Sequence, residues 1–284
     1  MAIRPKTLSA AIAPVFIGTA MAFGDGAWHF PSAIIALICA LLIQILTNLI
    51  NDYYDFKKGV DNLERIGPTR VMQAGLVKPM EMITAIVFVL ILITIGCIYL
   101  IYRGGLPIAV IGILSILSAY LYTAGPFPLG YLGLGELFVL IFFGPVAVGG
   151  TYYVQTLDIN PLPIIAGIAP GLLSVAVLTV NNIRDLDNDR KSNKRTLAVR
   201  LGRSFALTEY FVSLIGATII PVILYIITDD YKYSLLASLI VFFAIPAIKT
   251  VFTRLDGPSL NNALAYTGKL LLLYSILFSV GWLL

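Results

Sequence analysis

Two short runs of the sequence place carboxylate and amide side chains on one face of a predicted helix. The first run consists of Gln44, Asn48, Asn51, Asp52 and Asp55, with Asp61 in the loop that follows. The second consists of Asn181, Asp185 and Asp189 at intervals of four, whereas Asp187 points about 200° away from Asp185. Clustered carboxylates repel each other unless a cation lies among them, and oxygen ligands without clustered His or Cys favour Mg²⁺ or Ca²⁺. The two runs therefore predict divalent-cation sites.

Basic residues lie beside both acidic runs. Lys58 and Arg70 follow the first run, and Lys194 and Arg195 follow the second. Mg²⁺ in proteins commonly shares its coordination between one or two carboxylates and substrate phosphates. Acids and bases in the same loop are therefore typical of a site for a metal-bound di- or triphosphate. The alternative is a pair of solvated loops with incidental ion pairs.

The elements that carry these runs are predicted to lie in a membrane. The 284 residues are 59% hydrophobic and only 12% charged, whereas soluble domains carry about 25% charged residues. A helix needs about 20 apolar residues to cross the hydrocarbon core, and the long continuous runs argue against a transmembrane β-barrel. The sequence predicts a single all-α polytopic domain over residues 1–284, with nine transmembrane helices at residues 8–24, 32–54, 82–102, 106–123, 133–154, 162–184, 205–228, 233–253 and 262–284.

The distribution of Lys and Arg predicts the orientation of this bundle. With the N-terminus in the cytoplasm, only Arg103 and Lys232 of the 19 Lys and Arg residues fall on the opposite side. Both acidic runs then end at the cytoplasmic side of the cell membrane, and the C-terminus lies outside. The polar faces should point into the bundle, because polar groups in contact with lipid are costly.

The segment 120–136 is the third polar element of the sequence. It is dense in Gly, Pro and Tyr, includes Tyr122 and Tyr131, and contains no Lys or Arg. Such a segment is expected to fold back into the protein, where irregular backbone is tolerated if it lines a cavity. Its aromatic rings could then stabilise a cation near a diphosphate. The alternative is a belt of tyrosines at the membrane interface.

These motifs together resemble the UbiA-type intramembrane prenyltransferases. The run NDYYD at 51–55 with Asp61 is similar to the first aspartate-rich motif of that family, and Asp185 to Asp189 is similar to the second. The flanks RPKTL (4–8) and KRTL (194–197) match as well. Within the superfamily, NDYYDFKK (51–58), RVMQ (70–73) and YTAGPFPLGYLGLGE (122–136) are similar to the 1,4-dihydroxy-2-naphthoate prenyltransferases of menaquinone synthesis.

The resemblance implies a fold and a reaction. It implies a nine-helix bundle around a central cavity open to the cytoplasmic side, two Mg²⁺ ions and a lipid-facing route for the prenyl chain. The implied reaction transfers a polyprenyl group from polyprenyl diphosphate to 1,4-dihydroxy-2-naphthoate, with loss of the carboxylate, to give demethylmenaquinol. Membrane lipid is the expected surrounding, and neither a nucleic acid nor an obligate protein partner is expected.

The same resemblance assigns roles to individual residues. It places one metal with Asp52, Asp55 and Asp61 beside Asn48 and Asn51, and the other with Asp185 and Asp189, beside Asn181 as a substrate-binding residue. Lys194 and Arg195 are expected to hold the diphosphate together with Lys58, and Arg70 and Gln73 either the diphosphate or the acceptor carboxylate. Tyr122 is expected to be catalytic, although Pro126 stands where some relatives carry a lysine, which leaves its role open.

Two other classes of function are compatible with parts of this pattern. A cation- or proton-coupled transporter also uses intramembrane acids, but transporter sites commonly lie near the bilayer midplane at broken helices. Here the acids occur at predicted helix ends beside basic loops. A prenyltransferase with another acceptor, such as hydroxybenzoate, homogentisate, haem or a glycerol lipid, is disfavoured by the naphthoate-type runs alone.

Overall fold

The computed structural model describes residues 2–59 and 70–284, and all regular secondary structure in these ranges is helical. The α-helices of the described chain are α1 Ser9–Gly24, α2 Phe30–Lys57, α3 Pro79–Leu121, α4 Gly135–Phe142, α5 Pro145–Thr156, α6 Pro161–Lys191, α7 Leu197–Thr228, α8 Ile240–Thr253 and α9 Gly257–Leu283. Short 3-10 turns lie at Pro5–Thr7, Leu129–Tyr131 and Lys232–Leu239. The predicted all-α class is confirmed.

Local sequence explains where several of these helices begin. The side chains of Asn160, Thr196 and Asp256 accept hydrogen bonds from backbone N–H groups in the first turns of α6, α7 and α9. Proline follows the first of these caps, at position 161, where its missing N–H costs no helical hydrogen bond. The caps therefore fix the starts of the helices on which the polar side chains are carried.

The described chain has eight helices long and apolar enough to span a membrane, not the nine that the sequence predicted. The predicted helices 82–102 and 106–123 both belong to α3, a helical element of 43 residues. Its backbone leaves the helical region at Gly105, where φ is 65° and ψ is −151°. The Cβ position of Gly112 lies 3.5 Å from Cys97 Sγ, so the two parts of α3 lie side by side around this bend.

The predicted helix 133–154 is divided into α4 and α5 at Gly144. A Cβ atom at Gly144 would collide with the carbonyl oxygen of Leu140 and would lie 2.7 Å from that of Gly167. Only glycine leaves room for α6 to approach this closely, and the interruption is tolerated because Gly144 is buried. The bend places α4 against α6, where Glu136 accepts a hydrogen bond from Asn182, close to the second acidic run.

The main hydrophobic core surrounds α6. Small residues such as Ala166, Gly167 and Ala176 let the neighbouring helices approach its backbone, as is usual in membrane bundles. In contrast, α3 exposes large apolar side chains such as Ile98 and Ile113, which are each 63% exposed. An outer surface of this kind is stable in lipid and not in water, so the chain is an integral membrane protein.

Candidate active site

The acidic residues of α2 and α6 meet at one end of the bundle. Asp52 and Asp55 lie in the last two turns of α2, and Asp189 lies in the last turn of α6. Their exposed fractions are only 1%, 4% and 2%. Asp55 lies close enough to Asp189 for the two charges to interact. The structure therefore brings together one carboxylate pair from the first predicted run and one carboxylate from the second.

Basic side chains partly neutralise these buried carboxylates. Arg70 Nη1 is 3.3 Å from Asp52 Oδ1, and Arg70 Nη2 is 3.5 Å from Asp55 Oδ2. Lys194 Nζ lies 3.5 Å from Asp189 Oδ1. Buried charges of one sign are stable only when such partners are present. The site consequently combines acids that can hold a cation with bases that can hold an anion.

The segment 120–136 folds back into this site, as the sequence predicted. The hydroxyl of Tyr131 donates to Asp55 Oδ1 at 2.9 Å, and its ring lies 4.4 Å below Lys58 Nζ and 5.8 Å from Lys194 Nζ. Lys58 also donates to the backbone carbonyl of Thr123 at 2.7 Å. Partial burial lowers the pKa of Lys58, and the nearby Asp55 charge opposes that shift. Tyr131 thus connects both acidic runs to two lysines.

Tyr122 lies beside the same carboxylates, directly after α3. The Cβ position of Gly135 is 3.0 Å from its hydroxyl oxygen, so a side chain at 135 would displace the phenol. Burial, followed by the negative charges of Glu136, Asp189 and Asp55, raises the pKa of Tyr122 far above its usual value, and Arg4 opposes this shift. The phenol therefore keeps its proton and can donate a hydrogen bond at the centre of the site.

Asp185 lies near Asp189 on α6, as the spacing predicted, and its carboxylate is also paired with a buried arginine. Arg184 Nε and Nη2 lie 2.8 Å and 2.5 Å from its two carboxylate oxygens. Arg184 also donates to Asn181 Oδ1 at 2.7 Å and to Asn261 Oδ1 on α9 at 2.6 Å. The helical spacing was correct, but the Asp185 charge is paired within this second cluster. The side-chain carbonyl oxygen of Asn181 likewise accepts a hydrogen bond from Arg184.

Other predicted residues have structural partners. Asn48 Nδ2 donates to Ile3 O at 2.9 Å, and Asn51 Oδ1 accepts a hydrogen bond from Thr123. Arg195 is exposed and donates to Asn193 Oδ1 at 3.3 Å, so its guanidinium is directed along its own loop. Gln73 is half-buried. Asp61, the third predicted ligand of the first metal, lies outside the described residues.

Sequence reasoning missed the role of two charged residues near the site, one buried and one half-buried. One is Arg184, and the other is Glu209 on α7, whose Oε2 accepts a hydrogen bond from Thr179 at 3.0 Å. Glu136, which the sequence placed only in the tyrosine-rich segment, accepts from Asn182 Nδ2 at 2.8 Å. Each is a charged residue inside or beside an apolar run. That position is itself a signal, because charge at membrane depth usually has a function.

The donor atoms fit Mg²⁺ only if a substrate supplies further ligands. Within residues 2–59 and 70–284, no three His, Cys, Asp or Glu side chains lie close enough together to hold a metal by themselves. However, Asp189 Oδ2 is buried and receives no hydrogen bond from the described residues. One or two carboxylates plus phosphate oxygens and water is a usual coordination for Mg²⁺. Asp55 and Asp189 can each supply one such carboxylate.

An apolar cavity of about 180 Å³ extends from this cluster into the membrane-spanning part of the bundle. It lies between α1, α2, α3, α4 and α5, and Tyr122 and Gln44 belong to its lining. Most of the remaining lining is aliphatic or aromatic, including Ile108 and Phe138. The bundle therefore places a charged cluster against a space suited to a hydrocarbon chain.

A polar cluster of acids and bases beside an apolar intramembrane cavity is typical of a functional site in a membrane protein. The UbiA prenyltransferase family model matches residues 11–281. The chain belongs to the UbiA prenyltransferase family. The resemblance inferred from the sequence motifs is thereby confirmed.

Individual relatives cover nearly the whole chain. The chain is 37% identical to 1,4-dihydroxy-2-naphthoate octaprenyltransferase of Escherichia coli, over 98% of this chain and 92% of that protein. It is 36% identical to the protein of the same name from Haemophilus influenzae, over 99% and 94%. A UbiA homolog from Archaeoglobus fulgidus, described as bound to DMAPP and Mg²⁺, shares the fold with a TM-score of 0.66 at 17% identity, covering 99% of this chain and 97% of that one.

Proposed function

We propose that this protein transfers a polyprenyl group from polyprenyl diphosphate to 1,4-dihydroxy-2-naphthoate, in a Mg²⁺-dependent reaction that releases the carboxylate as carbon dioxide and gives demethylmenaquinol. The observation that carries the proposal is the meeting of Asp55, Asp189, Lys58 and Lys194 at Tyr131, beside the apolar cavity. The names of the two bacterial relatives support the choice of acceptor.

The charged cluster suits the diphosphate end of the donor. Lys58, Lys194 and Arg70 provide three cationic groups around the carboxylates of Asp55 and Asp189. Bound Mg²⁺ would neutralise the charge that develops on the diphosphate as it leaves. Lys194 can then turn from Asp189 towards a phosphate oxygen, because the flexible lysine stem allows its ammonium to reorient.

We assign two Mg²⁺ ions to the cluster. One would be held by Asp52 and Asp55 of α2, with Asp61 as a further ligand of that ion. The other would be held by Asp189 of α6, with Asp185 nearby. Arg70 presently bridges Asp52 and Asp55, so it must move aside or share their oxygens when the first ion binds. Its released guanidinium would then be available to the diphosphate.

The cavity suits the first part of the prenyl chain. Its apolar lining would exclude the water that otherwise captures an allylic cation. The Tyr122 ring lines the polar end of the cavity, where the positive charge would develop, and an aromatic face stabilises a nearby cation. The Tyr122 phenol, kept protonated by its surroundings, would also donate to a leaving oxygen.

We propose that the charged end faces the cytoplasm and that the C-terminus lies outside. Asn261, near the start of α9, contacts Arg184 at the charged end, whereas Trp282 packs against Gly24 at the opposite end. Arg70, Lys58 and Lys194 lie at the charged end, and such residues concentrate on the cytoplasmic side. A transporter is not supported, because the acids lie at helix ends in a chain that belongs to a prenyltransferase family.

The test is a product analysis with purified protein, Mg²⁺ and a short allylic diphosphate. Parallel reactions contain 1,4-dihydroxy-2-naphthoate, hydroxybenzoate or homogentisate, and mass spectrometry identifies the products. We expect a prenylated, decarboxylated naphthalenediol, with one carbon dioxide released per product. A prenylated product that retains its carboxylate, or preference for another acceptor, would overturn the proposal for the acceptor.

A further inference from the structure

One wall of the apolar cavity carries a buried hydrogen-bond acceptor. Gln44 on α2 is 7% exposed and lines the cavity together with Tyr122. Its side-chain carbonyl oxygen Oε1 is shielded from solvent and has no hydrogen-bond partner among the described residues. Buried polar atoms are nearly always paired, because burial without a partner is costly. An unpaired acceptor in a cavity wall therefore points to a partner that enters the cavity.

The first residues of the chain fix the orientation of the Gln44 amide. Gln44 Nε2 donates to Thr7 Oγ1 at 3.2 Å, and Asn48 Nδ2 donates to the same oxygen at 3.3 Å. The Thr7 hydroxyl donates its own proton to Arg4 O at 3.0 Å. A hydroxyl has one proton and two lone pairs, so Thr7 Oγ1 can only accept from the two amides. The NH₂ group of Gln44 must therefore face Thr7, and its carbonyl oxygen is left to accept from elsewhere.

Gln44 lies towards the charged end of the cavity. It precedes Asp52 by two turns of α2, which is a rise of about 12 Å along the helix axis. Its partner Thr7 lies just before the start of α1, whereas Gly24, at the other end of α1, packs against Trp282 at the opposite end of the bundle. The unpaired oxygen is thus near the end of the cavity at which donor and acceptor would meet.

The chemistry of the substrates in the proposed reaction identifies the partner of this oxygen. The prenyl chain has no polar hydrogen, and the ionised diphosphate and carboxylate can only accept hydrogen bonds. A ring hydroxyl is therefore the group that can donate to Gln44 Oε1. In 1,4-dihydroxy-2-naphthoate the hydroxyl on carbon 1 adjoins the carboxylate and can donate to it, whereas the hydroxyl on carbon 4 has no such neighbour.

We infer that Gln44 accepts a hydrogen bond from the carbon-4 hydroxyl of the aromatic acceptor and so orients its ring in the cavity. The inference rests on the proposed function. A site built to pair with a hydroxyl rejects an analogue that lacks it, because the buried protein group is then left unpaired. Gln44 is in this way a specificity-determining residue. Thr7 is a positioning residue, because it orients the Gln44 amide.

The test compares two ligands that differ by this hydroxyl, in detergent-solubilised full-length protein. KM is measured for 1,4-dihydroxy-2-naphthoate and for the prenyl diphosphate, and the inhibition constant is measured for 1-hydroxy-2-naphthoate as a competitor. Gln44→Met keeps the length of the side chain and removes its amide. We expect the KM for the dihydroxy acceptor to rise about tenfold, as for one lost hydrogen bond. The KM for the donor should not change, and the inhibition constant should stay the same or fall.

Thr47→Val is the matched control. Thr47 lines the same cavity on α2, but its hydroxyl donates to Ile43 O at 2.8 Å, so its proton is already used within the helix. This variant should leave all three constants unchanged. An unchanged acceptor KM in Gln44→Met, an equal loss for both aromatic ligands, or the same defect in Thr47→Val would overturn the inference.

Variants of Thr7 test the same contact without altering Gln44, and they keep the inference testable if Gln44→Met fails to fold. Thr7→Val should weaken binding of the dihydroxy acceptor and spare the monohydroxy competitor, whereas Thr7→Ser should restore it. Equal weakening of both ligands in Thr7→Val would overturn the orienting role. Failure of the wild-type protein to use the naphthoate would instead overturn the proposed function. If it used hydroxybenzoate, Gln44→Met should still remove its preference for hydroxybenzoate over benzoate.

Discussion

The guanidinium of Arg184 contacts both carboxylate oxygens of the adjacent residue Asp185, with Nε to Oδ1 at 2.8 Å and Nη2 to Oδ2 at 2.5 Å. Both side chains are buried, at 3% and 5% exposed. Arg184 additionally joins α6 to α9 through Asn261. Asp185 therefore has two possible roles, as a metal ligand or as the counter-charge that permits Arg184 to be buried, and mutation can separate them.

Replacing Arg184 with Met should strongly destabilise the protein. The change leaves the Asp185 carboxylate buried without its principal partner, and breaking a buried ion pair from one side costs about 3–5 kcal/mol. Thermal unfolding in detergent measures the effect. The double variant Arg184→Met with Asp185→Leu should be more stable than the single variant. Arg190→Met is the control, because Arg190 and its partner Asp187 are 60% and 83% exposed and 3.9 Å apart.

Alanine substitutions at positions 185, 187 and 189 should have unequal effects on turnover. Asp185 and Asp189 are buried at the charged end, whereas Asp187 is exposed. Asp185→Ala and Asp189→Ala should each reduce the rate about a hundredfold or more, which corresponds to about 2.7 kcal/mol of barrier. Asp187→Ala should reduce it less than about tenfold. Three similar defects at saturating Mg²⁺ would show that total negative charge matters, and not helical geometry.

Tyr131 donates a hydrogen bond to Asp55 and places its ring beneath Lys58, and two substitutions can separate these contributions. Tyr131→Phe removes the hydrogen bond to Asp55 and retains the ring beneath Lys58, so we expect a rate reduction of about tenfold, as for one hydrogen bond to a charged group. Tyr131→Ala also removes the ring and should be more severe. Steady-state turnover with a short donor measures both. Equal defects in the two variants would show that the ring contributes nothing.

Removal of divalent cations should abolish activity and lower stability. A ligand that binds only the folded state stabilises it increasingly as the ligand concentration exceeds Kd, so Mg²⁺ with inorganic diphosphate should raise the unfolding temperature of the wild-type protein. Mn²⁺ should substitute, whereas Zn²⁺ should not do so well, because the described carboxylates lie without clustered His or Cys. In Asp189→Ala the shift should be reduced. Full activity after chelation and dialysis would exclude a metal-dependent reaction.

Filling the cavity should impair the use of long donors. Gly112 lines the cavity, and its Cβ position meets only Cys97 Sγ, at 3.5 Å, so Gly112→Phe can project into the open space. We expect a higher KM for long prenyl diphosphates and a smaller change for a five-carbon donor. Ile113→Phe, at the adjacent lipid-exposed position, is the matched control. An equal effect of both variants on all donors would place the prenyl chain elsewhere.

Local chemistry explains what could be predicted from the sequence. Hydropathy and the scarcity of charge determine a helical membrane protein, since every backbone polar group must be satisfied within the bilayer. Spacing correctly placed Asp52 and Asp55 on the buried side of α2 and Asp189 on that of α6, with Asp187 exposed. The absence of Lys and Arg from 120–136 correctly predicted a segment that folds into the protein, where Tyr131 reaches Asp55.

The helix count and the pairing of the polar groups depended on contacts between distant parts of the chain. Spacing cannot show that Gly105 bends one helical element, or that Arg184 reaches Asn261, 77 positions away. Nor can it show that Asn48 holds Ile3, 45 positions earlier. The sequence by itself determined which side chains are polar, buried and on one helical face, because those properties are local. Only the tertiary structure decided which partner each one has, because burial forces every charge to pair with whichever group the packing of the helices brings within reach.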